Sequence, residues 1–243
     1  MADMTNQPKI DGEEILAGVR RWIEIESPSH DAVAVNRMVS EVEGTMKEVG
    51  TLTERIPGRD GFGDILKARS PWGGEGPGIL VLSHLDTVHP IGFLKDTLPF
   101  KRDGDVVYGP GIYDMKAGAY LAYYAYRHLV RMGQKTKLPV RFLFVPEEEV
   151  GSPTSRAMIE QEARNAKYVL VTEPARDGGK IVTSRKGVAR FVIKAEGRPA
   201  HAGARHEDGR SAIKEMARQI LAIKAMTDYA RGITTSVGLV SGG

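Results

Sequence analysis

The sequence of 243 residues predicts an α/β fold, a mostly parallel sheet with flanking helices, followed by part of a smaller, inserted α+β unit. Three observations carry this prediction. Short continuous apolar runs at 79–82 (ILVL), 140–145 (VRFLFV) and 168–171 (YVLV) read as strands buried on both faces. Between the first two, apolar residues recur at helical spacing over roughly 116–132, and strand alternating with helix is the pattern of a parallel sheet. From about Lys186 the pattern changes to alternation of apolar and polar residues, which marks a separate unit.

In chain order, the opening MADMTNQPKIDGEEI is polar and mildly acidic. It has no basic stretch leading into an apolar one, so a cytoplasmic location is expected. Ile15, Leu16, Val19, Trp22 and Ile23, then Val35, Met38, Val39, Val42, Met46 and Val49, form two amphipathic helical patterns. Glycine and proline punctuation (IPGRDGFG, SPWGGEGPG) separates them from the first buried strand. On the long helix that follows, Leu121, Tyr124, Ala125, His128, Leu129 and Met132 share one side. Past Lys186, GVARFVIKAEG reads as a half-exposed strand. Ile213, Met216, Ala217, Ile220 and Leu221 form a helix, and TTSVGLVSGG a second strand. Strand, helix and strand make a poor independent domain, so the chain is read as a fragment.

Composition narrows the function. Hydrophobic residues make up 41% and charged residues 27%, an ordinary globular balance. The net charge is only +3, with Lys and Arg dispersed, so neither a nucleic-acid partner nor a membrane partner is expected. No apolar run approaches the roughly 20 residues that span a bilayer. There is no cysteine, which excludes disulfides, thiolate metal sites and cysteine catalysis. Any metal must be held by nitrogen and oxygen.

Each buried run ends in groups that can do chemistry. ILVLSHLD delivers His84 and Asp86, FLFVPEEE delivers Glu147, Glu148 and Glu149, and YVLVTEP delivers Glu173. In an open parallel sheet, ligands bind beyond the carboxyl ends of the strands, so these groups gather at one edge. His84 and Asp86 are two apart and point to one side of an extended segment, so Asp86 can accept the second imidazole N–H of a metal-bound His84. Asp114 precedes the long helix in GPGIYDMKAG, where it is either a plain helix cap or a carboxylate bridging two cations. GPGIYD lacks the spacing of a phosphate loop, so a nucleotide-binding module rests on little. The three carboxylates of PEEEVGS would repel one another unless cations or separate directions relieve them. One as ligand and a neighbour as general base is economical.

SHLDTVHP, GPGIYDMKAG, PEEEVGS, TEP and PAHAG, in this order and spacing, resemble the co-catalytic zinc peptidases. That family includes glutamate carboxypeptidase, acetylornithine deacetylase, succinyl-diaminopimelate desuccinylase and aminoacylase, and the wording is nearest the glutamate carboxypeptidase branch. The resemblance implies a catalytic domain over 1–185, incomplete at its C-terminal end, and the first part of a ferredoxin-like dimerisation domain over 186–243. It implies two zinc ions, with cobalt or manganese also acceptable to these ligands. His84, Asp114 and Glu173 would bind one, and Asp114 would bridge to a second held by Glu149. Asp86 would orient His84, and Glu148 would be the general base. Glu147 stands where the family usually has Asp, and the peptide between Asp114 and Met115 is expected to be cis. His201 would reach across a homodimer to polarise the scissile carbonyl. The family's late histidine for the second zinc has no counterpart in the sequence. The implied reaction is hydrolysis of an amide in a small peptide or N-acyl amino acid by zinc-activated water. A reading of another class stays open, in which the chain is a non-catalytic fragment that dimerises and binds at most one metal tightly. His30, His89, His128 and His206 are read as surface or, for His128, helix-packing residues.

Overall fold

A computed structural model describes residues 9–243. The chain divides into two compact units at Val182 and Thr183. Most of the segment read for a leader, residues 1–8, lies outside the described residues. Among the described residues no helix is long and apolar enough to cross a membrane.

The first unit opens with α1 (Gly12–Ile23) and α2 (Ala32–Glu48). Each starts at an aspartate. Asp11 accepts from the Glu13 and Glu14 N–H groups and Asp31 from that of Ala34, satisfying amides the helix leaves free. Next come β1 (Leu52–Ile56), β2 (Ile65–Arg69), β3 (Gly78–His84), a single-turn α3 (Phe93–Asp96) and the hairpin β4 (Lys101–Asp103) and β5 (Val106–Tyr108). The long helix α4 (Ala117–Arg131), β6 (Val140–Val145), α5 (Arg156–Arg164) and β7 (Ala166–Val171) complete the unit.

Five strands form one sheet in the order β1-β2-β6-β3-β7. The three apolar runs pair in parallel, β3 lying between β6 and β7, as the sequence predicts. The expectation that all three are buried on both faces fails for 168–171: β7 is the outermost strand of the sheet, and Tyr168, Val169, Leu170 and Val171 are exposed, because among the described residues no further strand pairs with its outer edge. The sheet as a whole is mixed, because β1 and β2 add two antiparallel pairings at the β6 edge. Alternation along each strand feeds two cores. Leu66, Val81, Phe142 and Phe144 face α1, α2 and α4, around Trp22, which meets the Tyr120 ring edge-on at 5.0 Å. Ile65, Leu80, Leu143 and Val145 face Met158 and Ile159 of α5. The buried face of α4 departs from the expected one. Ala119, Tyr120, Tyr123, Tyr124 and Tyr126 are buried, whereas Leu121 is 49% exposed. The tyrosine rings carry more apolar surface than Leu121 does, and the Tyr124 hydroxyl finds a partner at the margin by donating to Glu14 at 2.9 Å, whereas the Tyr126 hydroxyl is buried with no hydrogen-bond partner.

Gly118 lets α4 approach the end of β7, since a Cβ there would collide with the carbonyl oxygen of Thr172. Gly118→Ala is therefore expected to lower stability by about 1–2 kcal/mol, the backbone collision outweighing the roughly 1 kcal/mol that alanine gains in helix propensity. Urea unfolding checks this. An unchanged or raised midpoint would show that the strand end yields freely.

In the second unit the expected helix is present as α6 (Ala212–Ala225), capped by Ser211, which accepts from the Lys214 N–H. The two expected strands are not. Residues 187–197 and 234–243 carry no ladder, and the pairing here is limited to isolated bridges such as Arg198 with Arg210 and Asp228 with Ile233. A strand exists through hydrogen bonds to a neighbour, and among the described residues neither stretch has one. Val188, Phe191 and Val192 accordingly remain exposed, as does the apolar face of α6 at Ile213 and Leu221.

Candidate metal centre

Parallel pairing brings the strand ends together. His84 is in register with Val145, and Leu82 with Val171. The residues that leave β3, β6 and β7 therefore emerge at the same edge: Asp86 after His84, Glu147 to Glu149 after Val145, and Glu173 after Val171.

His84 is the hub. It is 1% exposed, and its Nδ1 lies 2.9 Å from the backbone oxygen of Asp86 and 3.3 Å from Asp86 Oδ1. A carbonyl oxygen only accepts, so Nδ1 carries the proton, and in the neutral ring Nε2 keeps its lone pair. Nε2 faces Asp114 Oδ1 at 2.9 Å, to which the protonated ring donates, and Glu173 Oε1 at 3.8 Å. Burial opposes a positive charge on this ring. Hydrogen bonding and charge from Asp86, then hydrogen bonding from Asp114, outweigh it and raise its pKa to about 9.

Asp86 is fully buried and holds more than His84. It accepts from Ser29 Oγ at 2.6 Å and from the N–H groups of Glu148 at 3.1 Å and Glu149 at 3.2 Å. Burial alone would favour its neutral form, but these donors and His84 hold its pKa below the usual carboxylate value. One carboxylate thereby ties the loop after β3 to the turn after β6.

Glu147 is turned away from its neighbours. It is fully buried, and its Oε1 accepts from the Thr154 N–H, the Thr154 hydroxyl and the Ser155 N–H at 2.9, 2.8 and 2.6 Å. The three adjacent carboxylates are thus relieved partly by direction, leaving Glu148 and Glu149 for the cluster. Burial and the charge of Asp114 push the Glu149 pKa up to about 7.

Asp114 does not cap α4. The cap position is Lys116, with no side-chain cap bond, and Asp114 sits in a widened turn, Ile112–Lys116, facing His84. Gly111 enters that turn at φ +68°, and the Asp114–Met115 peptide is cis, as the resemblance implies. Two side chains brace the turn that the sequence reading did not single out. Met115 Sδ accepts from the His84 N–H at 3.3 Å. Lys116, 1% exposed, donates to the backbone oxygens of Trp22 at 3.3 Å and Ile25 at 2.6 Å. Burial pushes the Lys116 pKa down to about 7, against the opposing pull of Glu26 and Asp86. Neither Ser29 nor Lys116 carries a local sequence signal, because each acts on a segment distant in the chain.

Donor atoms of His84, Asp114 and Glu149 lie within 4.8 Å of one another, and so do those of His84, Glu148 and Glu173. Six of the seven residues singled out from the sequence thus meet around one imidazole. The seventh, His201, belongs to the second unit, where its Nδ1 accepts from the Gly203 N–H at 3.1 Å. His89 departs from the surface position expected of it. It is half-buried and stacks on Phe93 at 4.6 Å, within the wall of a cavity that also contains Asp114.

Residues 80–241 match the peptidase family M20/M25/M40. Carboxypeptidase G2 of Pseudomonas sp. (strain RS-16) is 31% identical over 221 residues, covering 90% of this chain and 53% of its own. The chain spans 36–53% of the length of the first curated relatives it matches. Among solved structures, a tripeptidase from Staphylococcus aureus shares the fold with a TM-score of 0.65 at 16% identity, over 89% of this chain and 58% of that one. Aminopeptidase PepT from Bacillus cereus does so with a TM-score of 0.60 at 20% identity, over 88% and 57%.

Proposed function

Because the chain belongs to the peptidase family M20/M25/M40, we propose that its strand-end cluster is a hydrolytic metal site that cleaves an amide bond in a small peptide or N-acyl amino acid. The observation that carries this reading is the His84 imidazole, its Nδ1 anchored on Asp86 and its Nε2 aimed at Asp114 and Glu173. Four carboxylates, Asp114, Glu148, Glu149 and Glu173, gather around one buried imidazole, and bound cations would relieve their mutual repulsion. The donors fit borderline divalent metals, since zinc, cobalt and manganese all accept imidazole and carboxylate.

His84, Asp114 and Glu173 would hold one cation, with Asp114 shared to a second that Glu149 holds. Bound cations supply Lewis acidity, which acidifies water and polarises the scissile carbonyl. Asp86 keeps His84 in the tautomer whose Nε2 can ligate, and it sets the turn that presents Glu148. Glu148 is exposed and free of the turn contacts that hold Glu147, so it can take the proton from the attacking water and return it to the leaving nitrogen. His201 would stabilise the developing oxyanion from the partner in a homodimer assembled through the second unit.

The test is metal removal. Zinc-loaded protein is expected to hydrolyse N-acyl amino acids, to lose that activity on chelation, and to recover it with zinc, cobalt or manganese. Hydrolysis that survives exhaustive chelation would sink the reading.

A further inference from the structure

Beside the cluster lies a cavity of about 400 Å³, a volume suited to a single side chain and its surroundings. Asp114 and Glu149 stand at its wall, and the rest includes Val88, Leu98, Val107 and Tyr108. That remaining wall contributes no carboxylate, ammonium or guanidinium, and its one basic ring is the His89 imidazole, stacked on Phe93. Its hairpin and loop elements come from the segments just before the Asp114 turn, so the cavity is continuous with the metal ligands and not a separate cleft. Val88, Tyr108 and Tyr113 also leave apolar surface to water at its mouth, at 67%, 44% and 71% exposure.

We propose that this cavity receives an uncharged apolar or aromatic side chain of the substrate, flanking the amide that is cut. The word substrate rests on the hydrolytic reading above, whereas the cavity's preference for an apolar group does not. An apolar side chain leaves water for a wall of aliphatic and aromatic surface, which is favourable. An acidic side chain would give up its hydration and meet no lysine or arginine in return, only the His89 ring and the like-charged Asp114 and Glu149. The occupant's class thus follows from what the wall lacks as much as from what it contains.

Methyl-labelled protein, metal-free and zinc-loaded, tests this with two probes: N-acetyl-phenylalaninamide and N-acetyl-glutamic α-amide. The aromatic probe is expected to move the Val88, Leu98 and Val107 methyl resonances saturably, and to bind at least about tenfold more tightly than the acidic one. Val88→Arg, at an exposed position where the fold tolerates it, is expected to reverse that order by adding the missing cation. In turnover, kcat/KM should favour phenylalanyl or phenylacetyl amides over glutamyl or succinyl ones by a similar factor in the wild type. Methyl resonances that ignore the aromatic probe, or equal affinity for both probes, would overturn the proposal. Selective binding with none of these amides hydrolysed would uphold the cavity's preference and overturn the hydrolytic reading.

Discussion

Glu148→Gln is expected to reduce amide hydrolysis by about 100- to 10,000-fold while leaving metal content unchanged. Glutamine has the shape of glutamate but cannot accept a proton, so the substitution removes one chemical act and little else. The backbone N–H of residue 148 still donates to Asp86, and that bond, not the side chain, holds the turn. Glu148 is exposed, so stability should not move. Steady-state kinetics beside atomic emission of the purified variant separates the two effects. Activity within tenfold of wild type would place the base elsewhere. Loss of metal together with activity would make Glu148 a ligand, a role that its proximity to His84 and Glu173 permits geometrically.

Asp114→Ala is expected to act on metal first. Replacing outer partners of a metal ligand typically weakens binding by about 10- to 100-fold, and if Asp114 is shared by two cations as proposed, its removal should exceed that. The variant is expected to retain at most one cation per chain and no measurable hydrolysis. Its fold should persist, because the Asp114 side chain is 54% exposed and takes no part in capping α4. Metal titration by calorimetry, with thermal melting of the metal-free forms as a control, reads both. Two cations bound as tightly as in the wild type would remove Asp114 from the bridge.

Much of the site was legible because it hangs on the most legible elements. The runs 79–82, 140–145 and 168–171 are short and predominantly apolar, and the residues just after them reach the sheet edge wherever the strands are parallel. The edge strands were not legible. LTERI and ILKAR are five-residue stretches of mixed polarity between glycines and prolines. What makes them strands is the free edge of β6, to which β2 pairs from Leu66 with Phe144 to Arg69 with Arg141. The reverse happened at 187–197 and 234–243, where alternation is plain but no ladder forms. On α4 the helix itself was legible and its inward face was not, since helical spacing cannot tell a buried tyrosine from a buried leucine.

By itself the sequence determined the parallel pairing of three strands, the absence of thiol chemistry, and a His and carboxylate set at one edge. These are matters of side-chain type and local periodicity, which every segment carries with it. Only the tertiary structure decided which oxygen His84 faces, that Glu147 turns inward while Glu148 and Glu149 turn out, and that Ser29 and Lys116 brace loops far from them in the chain. Those outcomes depend on which unpaired donors and acceptors packing brings within reach, and a buried polar group takes the partner that geometry supplies.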